Sequence, residues 1–317
     1  MATIYIACPA PPRSQQGNRI TALRWARILR ALGHRVRVGA VDDHVDCDLL
    51  VALHARRSAR AILDYRAHHP DRPLVLALTG TDLYQDLGMS GPARRSVALA
   101  DRLVVLQPGG RLALPVAARR KVRVIYQSVQ SLGLRRSPPH HRFQVCQLAH
   151  LRSVKDPLLV ARAVRDLPVA SRLRVVHAGR ALSDAMAARA RAEEHRNPRY
   201  RWLGERSHRR ALALLGASHV LVLSSRLEGG ANVIGEAATL GVAIVATRID
   251  GTVGLLGSGY PGLFPPGDAG ALRELLLRAE RDPSFYARLR RATQDKAELF
   301  DPRRERGAWQ RLLSELL

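Results

Sequence analysis

The chain is 317 residues long, and 46% of its residues are hydrophobic and 25% are charged. This length exceeds one ordinary domain and suits two domains of about 150 residues each. The composition is that of a globular protein and excludes a disordered or fibrous chain. No stretch approaches the roughly 20 apolar residues that span a bilayer. Residues 1–8 show no secretory leader, so we expect a cytoplasmic protein without a membrane span.

The net charge of +24 raises the question of a nucleic-acid partner, because a basic surface is the footprint of such proteins. The basic side chains are nearly all arginine and are scattered over most of the predicted helices. Aromatic residues that could stack on bases make up only 4% of the chain, so we expect no nucleic-acid partner. A basic nucleic-acid-binding or scaffolding protein stays the rival class, which predicts salt-sensitive polyanion binding without turnover.

Short apolar runs alternate with amphipathic stretches along the first half of the chain. The clearest amphipathic stretch runs from Asn18, predicted as a helix N-cap, to Leu32, with Gly33 at the C′ position. Strands separated by helices predict βαβ crossovers and a parallel sheet that is covered on both faces. The predicted strands are Thr3–Cys8, Arg35–Val41, Leu49–His54, Leu74–Thr79, Arg102–Gln107 and Val122–Gln127.

A polar, proline-containing stretch at residues 131–142 reads as a linker and hinge, and a second α/β series follows it. Its predicted strands are Phe143–Ala149, Leu173–Ala178, Tyr200–Leu203, His219–Ser224 and Val242–Thr247, and its predicted helices are Pro157–Leu167, Asp184–His195, His208–Leu215 and Asn232–Leu240. The sequence therefore predicts two Rossmann-like domains, at residues 1–130 and 143–295, facing a shared cleft at the carboxyl ends of their strands. Residues 268–317 are nearly all predicted helix.

One glycine-containing segment follows a predicted strand and opens a predicted helix: Glu228-Gly229-Gly230-Ala231-Asn232-Val233-Ile234-Gly235-Glu236. The two glycines let the backbone approach a ligand, and the N-terminus of the helix presents N–H groups that suit a phosphate. Glu228 and Glu236 can accept hydrogen bonds from hydroxyl groups on either side of that phosphate. A nucleotide sugar has this layout, whereas the alternative is that both glutamates are solvated surface residues.

The segment from Ser224 to Asp250 resembles the E-x7-E signature of retaining GT-B glycosyltransferases of the GT4 family, and Pro265–Asp268 resembles the "ppGD" segment of that family. This resemblance covers essentially the whole chain. It implies the GT-B architecture, with a C-terminal helix at 296–317 that packs back on the N-terminal domain. It also implies that Glu228 contacts the donor sugar and that Glu236 holds the ribose. The backbone implied to contact sugar and phosphate is that of Gly229, Gly230, Ala231, Asn232 and Val233.

The Arg-x4-Lys diphosphate clamp of that family corresponds to residues 150–155 here. Lys155 matches the lysine, His150 stands where the arginine is expected, and Arg152 can supply the missing charge. Each charge-assisted hydrogen bond to a diphosphate contributes about 1.5–3 kcal/mol. The alternative for His150 is an ordinary surface position at the end of a strand.

Several blocks resemble the selenosugar synthases of bacterial selenoneine biosynthesis more than GT4 enzymes at large. They are Ser14–Arg19 with Thr21–Trp25, Leu53–Ser58, Leu78–Tyr84 and His150–Pro157. This resemblance implies transfer of a sugar such as N-acetylglucosamine from UDP to selenophosphate, which forms a carbon–selenium bond and a 1-selenosugar. It also implies downstream enzymes of selenoneine biosynthesis as further partners.

The acceptor is predicted to be small and anionic and to bind at loops that follow N-terminal strands. Selenophosphate is already a strong nucleophile, so it needs no side chain to take up a proton. The Thr79-to-Asp82 turn, which lacks the histidine of many relatives, agrees with this. The predicted acceptor-binding residues are Gln16, Gly17, Asn18, Arg19, His54, Arg56, Thr79, Thr81 and Asp82.

The predicted reaction is a front-face attack of the acceptor on the anomeric carbon, without a covalent enzyme nucleophile. Lys155, Arg152 and the helix beginning near Asn232 stabilise the charge that develops on the departing UDP, and Glu228 completes the predicted catalytic set. No metal ion or cofactor is expected. Asp42-Asp43, an acidic pair early in the acceptor domain, is expected to face solvent.

Two other enzyme classes share this architecture. An O-glycosyltransferase acting on another small acceptor would use the same donor site, and acceptor screening separates it from a selenosugar synthase. A sugar-nucleotide epimerase would need a cluster of carboxylates and a base around the sugar, which the sequence does not show.

Overall fold

The computed structural model describes residues 1–14, 17–40 and 46–317. These residues form two units, each with its own sheet. The first unit comprises Met1–Ser128, Glu228–Gly230 and Asp301–Leu317, and the second comprises Val129–Leu227 and Ala231–Phe300. The stretch at 131–142, expected to be a linker, thus lies in the second unit, as do residues 296–300.

The elements of the first part of the chain are β1 (Thr3–Ala7), α1 (Gly17–Ala31), β2 (Arg35–Gly39), β3 (Leu49–Leu53), α2 (Ala59–His68), β4 (Leu74–Leu78), α3 (Leu87–Met89), α4 (Gly91–Leu99), β5 (Arg102–Val105) and β6 (Val122–Val124). Those of the remainder are β7 (Phe143–Leu148), α5 (Leu159–Val164), β8 (Leu173–Ala178), α6 (Asp184–Arg196), β9 (Tyr200–Trp202), α7 (His208–Gly216), β10 (Val220–Leu223), α8 (Asn232–Leu240), β11 (Ala243–Thr247), α9 (Asp250–Leu256), β12 (Leu263–Phe264), α10 (Ala269–Arg281), α11 (Pro283–Gln294) and α12 (Pro302–Ser314).

Both sheets are six-stranded and parallel within the described residues. The first has the order β2-β1-β3-β4-β5-β6 and the second the order β12-β11-β10-β7-β8-β9. Every residue of β3, β4, β10 and β11 is buried. Continuous apolar runs of this kind belong to parallel strands that are covered on both faces, and the predicted α/β architecture with two parallel sheets is confirmed.

The element ends differ from the predicted ones by a few residues. Helix α1 begins at Gly17, so Asn18 lies inside its first turn and is not the N-cap, whereas Gly33 has the positive φ of +90° expected after a helix. Val41 and the Asp42-Asp43 pair lie outside the described residues. The three cysteines are free and buried, as small core residues would be.

Helix α12 is anchored in the core of the first unit by a buried carboxylate. Glu305 accepts the indole N–H of Trp25 at 2.8 Å through one oxygen. Its other oxygen accepts the backbone N–H and the hydroxyl of Ser128, at 2.8 and 2.5 Å. One turn further on, the Trp309 ring packs edge-on against Trp25, with 4.9 Å between ring centres. The C-terminal helix therefore belongs to the core of the N-terminal sheet.

Chain order reverses once in each sheet, and such a point marks the ligand-binding edge of an open α/β sheet. In the first sheet the reversal lies between β1 and β3, and in the second it lies between β7 and β10. The loops that follow these strands therefore carry the candidate site residues of each unit.

Among the described residues, no helix is both long and apolar enough to cross a bilayer. The cytoplasmic location stays a prediction.

Candidate functional site

In the second unit, the loop after β7 is fastened to the end of β10. The buried hydroxyl of Ser224 lies 2.9 Å from the carbonyl oxygens of both Lys155 and Asp156, to which it donates. It also accepts the amide of Gln147 at 2.9 Å, and the backbone N–H of Arg226 donates to Val154 at 2.9 Å. These bonds place the backbone of Lys155 directly at the reversal point of the sheet.

Asp156 completes the fixed part of this loop. Its backbone is left-handed, with φ of +39°, and it follows the 3-10 turn Ser153–Lys155. Its carboxylate pairs with Arg226 at 3.1 Å and with Arg162 at 3.4 Å. Asp156 therefore shapes the loop, while Arg152 is exposed and Lys155 half-buried.

Eight residues lie between β10 and helix α8, and Ala231 before the helix provides no side-chain cap. No acidic side chain lies in the first turn of α8, so the positive end of the helix dipole is not offset there and suits a phosphate group. One turn into the helix, Glu236 is mostly buried and accepts a hydrogen bond from His208 at 2.8 Å. The predicted donor residues Ala231, Asn232, Val233 and Glu236 thus share this helix and its start.

The segment Glu228–Gly230 belongs to the first unit, and Glu228 is buried there. A Cβ on Gly229 would lie 2.3 Å from the carbonyl oxygen of Thr79, and one on Gly230 would lie 2.6 Å from Cβ of Leu106. Both contacts are too short for any side chain. The two glycines are therefore required by packing as well as by the predicted approach of a ligand.

In the first unit, His54 directly follows β3 and contacts both its own loop and the loop after β4. His54 has a φ of +76°, and its Nδ1 accepts the backbone N–H of Arg57 at 3.4 Å. The proton of the neutral ring is then on Nε2, which lies 3.2 Å from the hydroxyl of Thr81. Burial lowers the pKa of His54, against the opposing effect of the Asp82 carboxylate. Both ring nitrogens are therefore engaged.

Asp82 is fully buried, and both of its carboxylate oxygens accept backbone N–H groups. The donors are Ala55 at 3.0 Å, Thr79 at 2.9 Å and Gly80 at 2.8 Å. The side chain thus ties the end of β3 to the turn after β4. The structure assigns this predicted acceptor residue a role in shaping the turn.

Arg56, Gly17, Asn18 and Arg19 complete the predicted acceptor residues that the structure describes. Arg56 is exposed and its Nε lies 3.0 Å from the carboxylate of Asp86. Gly17, Asn18 and Arg19 form the first turn of α1, and Gln16 lies outside the described residues. No set of three or more potential metal ligands occurs in the part of the chain that the structure describes, and the expectation that no metal or cofactor is needed stays a prediction.

The family model for glycosyl transferases group 1 matches residues 135–296, just over half of the chain. The chain belongs to this glycosyltransferase family. The match covers the loop after β7 as well as β10 and α8, so it contains the donor residues predicted in the second unit.

Solved structures with a similar fold span nearly the whole glycosyltransferase. Anabaena Alr3699/HepE in complex with UDP is 17% identical, with full coverage of both chains and a TM-score of 0.81. Sucrose-phosphate synthase from Thermosynechococcus elongatus is 17% identical, with 99% and 98% coverage and a TM-score of 0.80. A glycosyltransferase from Rickettsia africae ESF-5 is 14% identical, with 99% and 98% coverage and a TM-score of 0.72. These similarities show the GT-B fold. No curated protein matches the glycosyltransferase by sequence.

Sequence reasoning missed the residues that position this site. Ser224, Asp156 and Arg226 hold the Lys155 loop, and Asp86 pairs with Arg56. A serine at the end of a buried strand could have indicated a positioning residue, since its buried hydroxyl needs a hydrogen-bond partner there. Asp82 and Asp86 are four residues apart in a π-helical turn, and such turns are frequent at functional sites.

Proposed function

We propose that this glycosyltransferase moves N-acetylglucosamine from UDP to selenophosphate. The assignment of the UDP-sugar as donor rests on the fixed Lys155 loop. This loop lies where the chain order of the strands reverses in the second sheet. There the loop after β7 is bonded to the end of β10, the strand that leads to α8. A cationic loop fixed to the strand that precedes a helix N-terminus supports the binding of a nucleotide diphosphate.

The donor residues follow from this placement and from the resemblance. His150, Arg152 and Lys155 receive the diphosphate, and Glu236 receives the ribose. Gly229, Gly230, Ala231, Asn232 and Val233 offer their backbone to the sugar and phosphate, while Glu228 receives the sugar hydroxyls. Among relatives of the same fold, Anabaena HepE has been solved with UDP, which supports UDP as the nucleotide.

The acceptor assignment rests on His54 and Asp82, the two potential bases among the side chains predicted to bind the acceptor. His54 has both ring nitrogens engaged, and Asp82 holds three backbone N–H groups. Neither is available to take a proton from an acceptor hydroxyl, whereas Arg56 offers a cation nearby. An acceptor that is already anionic and nucleophilic therefore suits the loops after β3 and β4 better than a sugar hydroxyl does.

The chemistry balances without a protein base. A selenium lone pair forms the bond to the anomeric carbon while the bond from that carbon to the diphosphate oxygen breaks. UDP leaves with that electron pair, and Lys155 and Arg152 stabilise its charge. The phosphoryl group that stays on selenium is then lost to water as phosphate, which gives the 1-selenosugar.

Mass spectrometry tests the proposal on the purified protein with UDP-N-acetylglucosamine and selenophosphate generated anaerobically in situ. We expect a selenium isotope pattern on a hexosamine. Lys155→Ala should reduce kcat/KM by roughly 10- to 100-fold, the equivalent of one charge-assisted hydrogen bond. The matched control Lys296→Ala, two residues after α11, should keep the wild-type rate.

Binding of UDP-N-acetylglucosamine without any selenosugar would overturn the selenium assignment and leave the donor site. Acceptors with hydroxyl or thiol groups would then identify the O- or S-glycosyltransferase alternative.

A further inference from the structure

A hydrogen bond between two side chains joins the neighbouring helices α7 and α8 of the second unit. His208 is the first residue of α7, and Glu236 is the fifth residue of α8. Nε2 of His208 lies 2.8 Å from Oε1 of Glu236. A carboxylate only accepts hydrogen bonds, so Nε2 carries a proton and is the donor. One oxygen of Glu236 is therefore held by a side chain from another helix.

The backbone of α8 is fixed at the position of Glu236. A Cβ on Gly235 would lie 2.7 Å from the Phe300 ring and 3.0 Å from Cγ2 of Val129, so the helix packs closely against both residues. Ile234 and Ala237 are buried as well. Only the side chain of Glu236 therefore has a choice of direction.

Helix α7 is anchored at the end opposite to His208. Its residues Leu212 and Leu215 are buried. The backbone N–H of Ser137 donates to the carbonyl of Gly216, the last residue of the helix, at 2.9 Å. The side chain of His208 is 64% exposed. A fixed helix thus presents an imidazole that buries little surface of its own.

The second oxygen of Glu236 is open to a ligand. The Glu236 side chain is only 15% exposed. Within the part of the chain that the structure describes, no group donates to Oε2, and this atom reaches the solvent. A side chain that is ordered before a ligand binds loses less conformational entropy on binding. Glu236 is therefore prepared to accept one hydroxyl group through Oε2.

We propose that His208 positions Glu236 for the ribose and so makes the protein prefer ribonucleotide over deoxyribonucleotide donors. This inference rests on the proposed role of Glu236 toward the ribose of the UDP-sugar. A site built to bond a hydroxyl group rejects an analogue that lacks it, because the polar group of the site is then left unpaired. His208 acts through the carboxylate and is a positioning residue.

The same pair has little effect on the stability of the fold. Hydrogen-bonded ion pairs with an exposed partner contribute little to the free energy of unfolding, and the imidazole of His208 is mostly exposed. Substitution of His208 should leave the unfolding midpoint unchanged. A change in donor affinity then reports on the site and not on the fold.

Calorimetric titration tests the proposal with UDP-N-acetylglucosamine and its 2′-deoxyuridine and 3′-deoxyuridine analogues, and it needs no acceptor. The wild type should bind UDP-N-acetylglucosamine at least about tenfold more tightly than one of the analogues. His208→Ala should weaken the binding of UDP-N-acetylglucosamine by about three- to tenfold and leave the affinity for that analogue nearly unchanged.

Three further variants sharpen the test. His208→Gln should restore most of the affinity, because its amide N–H can donate to the same oxygen. Arg209→Ala, an exposed neighbour in the same turn, should bind like the wild type. Glu236→Ala should lose the ribose preference, and adding His208→Ala to it should have no further effect, because the imidazole then has no carboxylate to hold.

An equal loss for UDP-N-acetylglucosamine and both analogues in His208→Ala, or no loss for any of them, would overturn the inference and leave the donor site standing. A wild type that binds all three compounds equally would remove the ribose role of Glu236 and the inference with it. A wild type that binds no UDP-N-acetylglucosamine would overturn the proposed function itself. Thermal unfolding of the variants shows whether each is folded.

Discussion

The hydroxyl of Ser224 donates to the backbone carbonyl of Lys155 at 2.9 Å and so fixes the end of the loop that carries the proposed diphosphate site. The two residues are 69 positions apart in the chain, and the sequence alone does not indicate that they meet. The bond forms because β7 and β10 are neighbours in the sheet and their carboxyl ends lie at the same edge.

Ser224→Ala should therefore weaken donor binding without removing any group that touches the donor. We expect the KM for the UDP-sugar to rise several-fold and the free energy of unfolding to fall by about 1–3 kcal/mol, because buried polar groups lose a partner. Steady-state kinetics and urea unfolding measure the two effects.

Ser218→Ala is the matched control, since Ser218 is equally buried just before the same strand and donates to Leu214 at 2.8 Å. It should cost similar stability and leave KM unchanged. Equal KM values in the two variants would contradict the positioning role of Ser224.

Gly179→Ala should destabilise the second unit strongly. The added methyl would lie 1.8 Å from the carbonyl oxygen of Ala149, and overpacking against fixed backbone costs about 3 kcal/mol or more. Gly259→Ala, where nothing lies within 4 Å of the added atom, should change the free energy of unfolding by less than about 0.5 kcal/mol. Similar urea midpoints for the two variants would contradict this prediction and show that the backbone near Gly179 and Ala149 moves apart at little cost.

The strands could be predicted from the sequence because each fully buried one is a short apolar run between polar turns. The predicted helix Asn232–Leu240 coincides with α8 for the same kind of reason, a glycine at each side of an apolar stretch. Strand β12 was missed because two residues, Leu263 and Phe264, show no periodicity.

The site was only partly predictable. The residue types at 150–155 and 228–236 indicated a donor site. The residues that hold these segments in place are distant in the sequence and meet them only in the fold. Asp82 illustrates the limit: its carboxylate suggested an acceptor ligand, whereas the fold brings it three backbone N–H groups from two loops. The order of the strands in the sheet determines which loops meet, and local sequence patterns do not reveal that order.

Glu305→Ala should destabilise the first unit by about 3 kcal/mol, because three buried donors from Trp25 and Ser128 lose their acceptor. Tryptophan fluorescence in a Trp202→Phe background reports this unit alone, since Trp25 and Trp309 both lie in it. Gln310→Ala, exposed on the same helix, should leave the unfolding midpoint unchanged. A loss below about 1 kcal/mol in Glu305→Ala would mean that water replaces the carboxylate.

The end of the chain carries an acid-sensitive ion pair cluster. Glu315, just after α12, accepts hydrogen bonds from Arg123 at 2.6 and 2.8 Å and from Arg102 at 2.8 Å. The hydrogen bonds from Arg123, followed by those from Arg102, lower the pKa of Glu315 from 4.5 to about 2.

Because the folded-state pKa lies below the unfolded one, this cluster contributes its full stability above about pH 4.5 and loses it as the pH falls toward about 2. About a third of the Glu315 side chain is exposed, so solvent screening limits the contribution to about 1 kcal/mol. Glu315→Gln should therefore lower the free energy of unfolding near pH 7 and lower it by clearly less near pH 3, where part of the contribution of the wild-type carboxylate has been lost. Urea unfolding followed by the fluorescence of Trp25 and Trp309 measures both values, with Glu274→Gln, exposed on α10, as the control. An equal loss at the two pH values would mean that Glu315 stabilises the helix end by packing, because packing does not depend on the charge of the carboxylate.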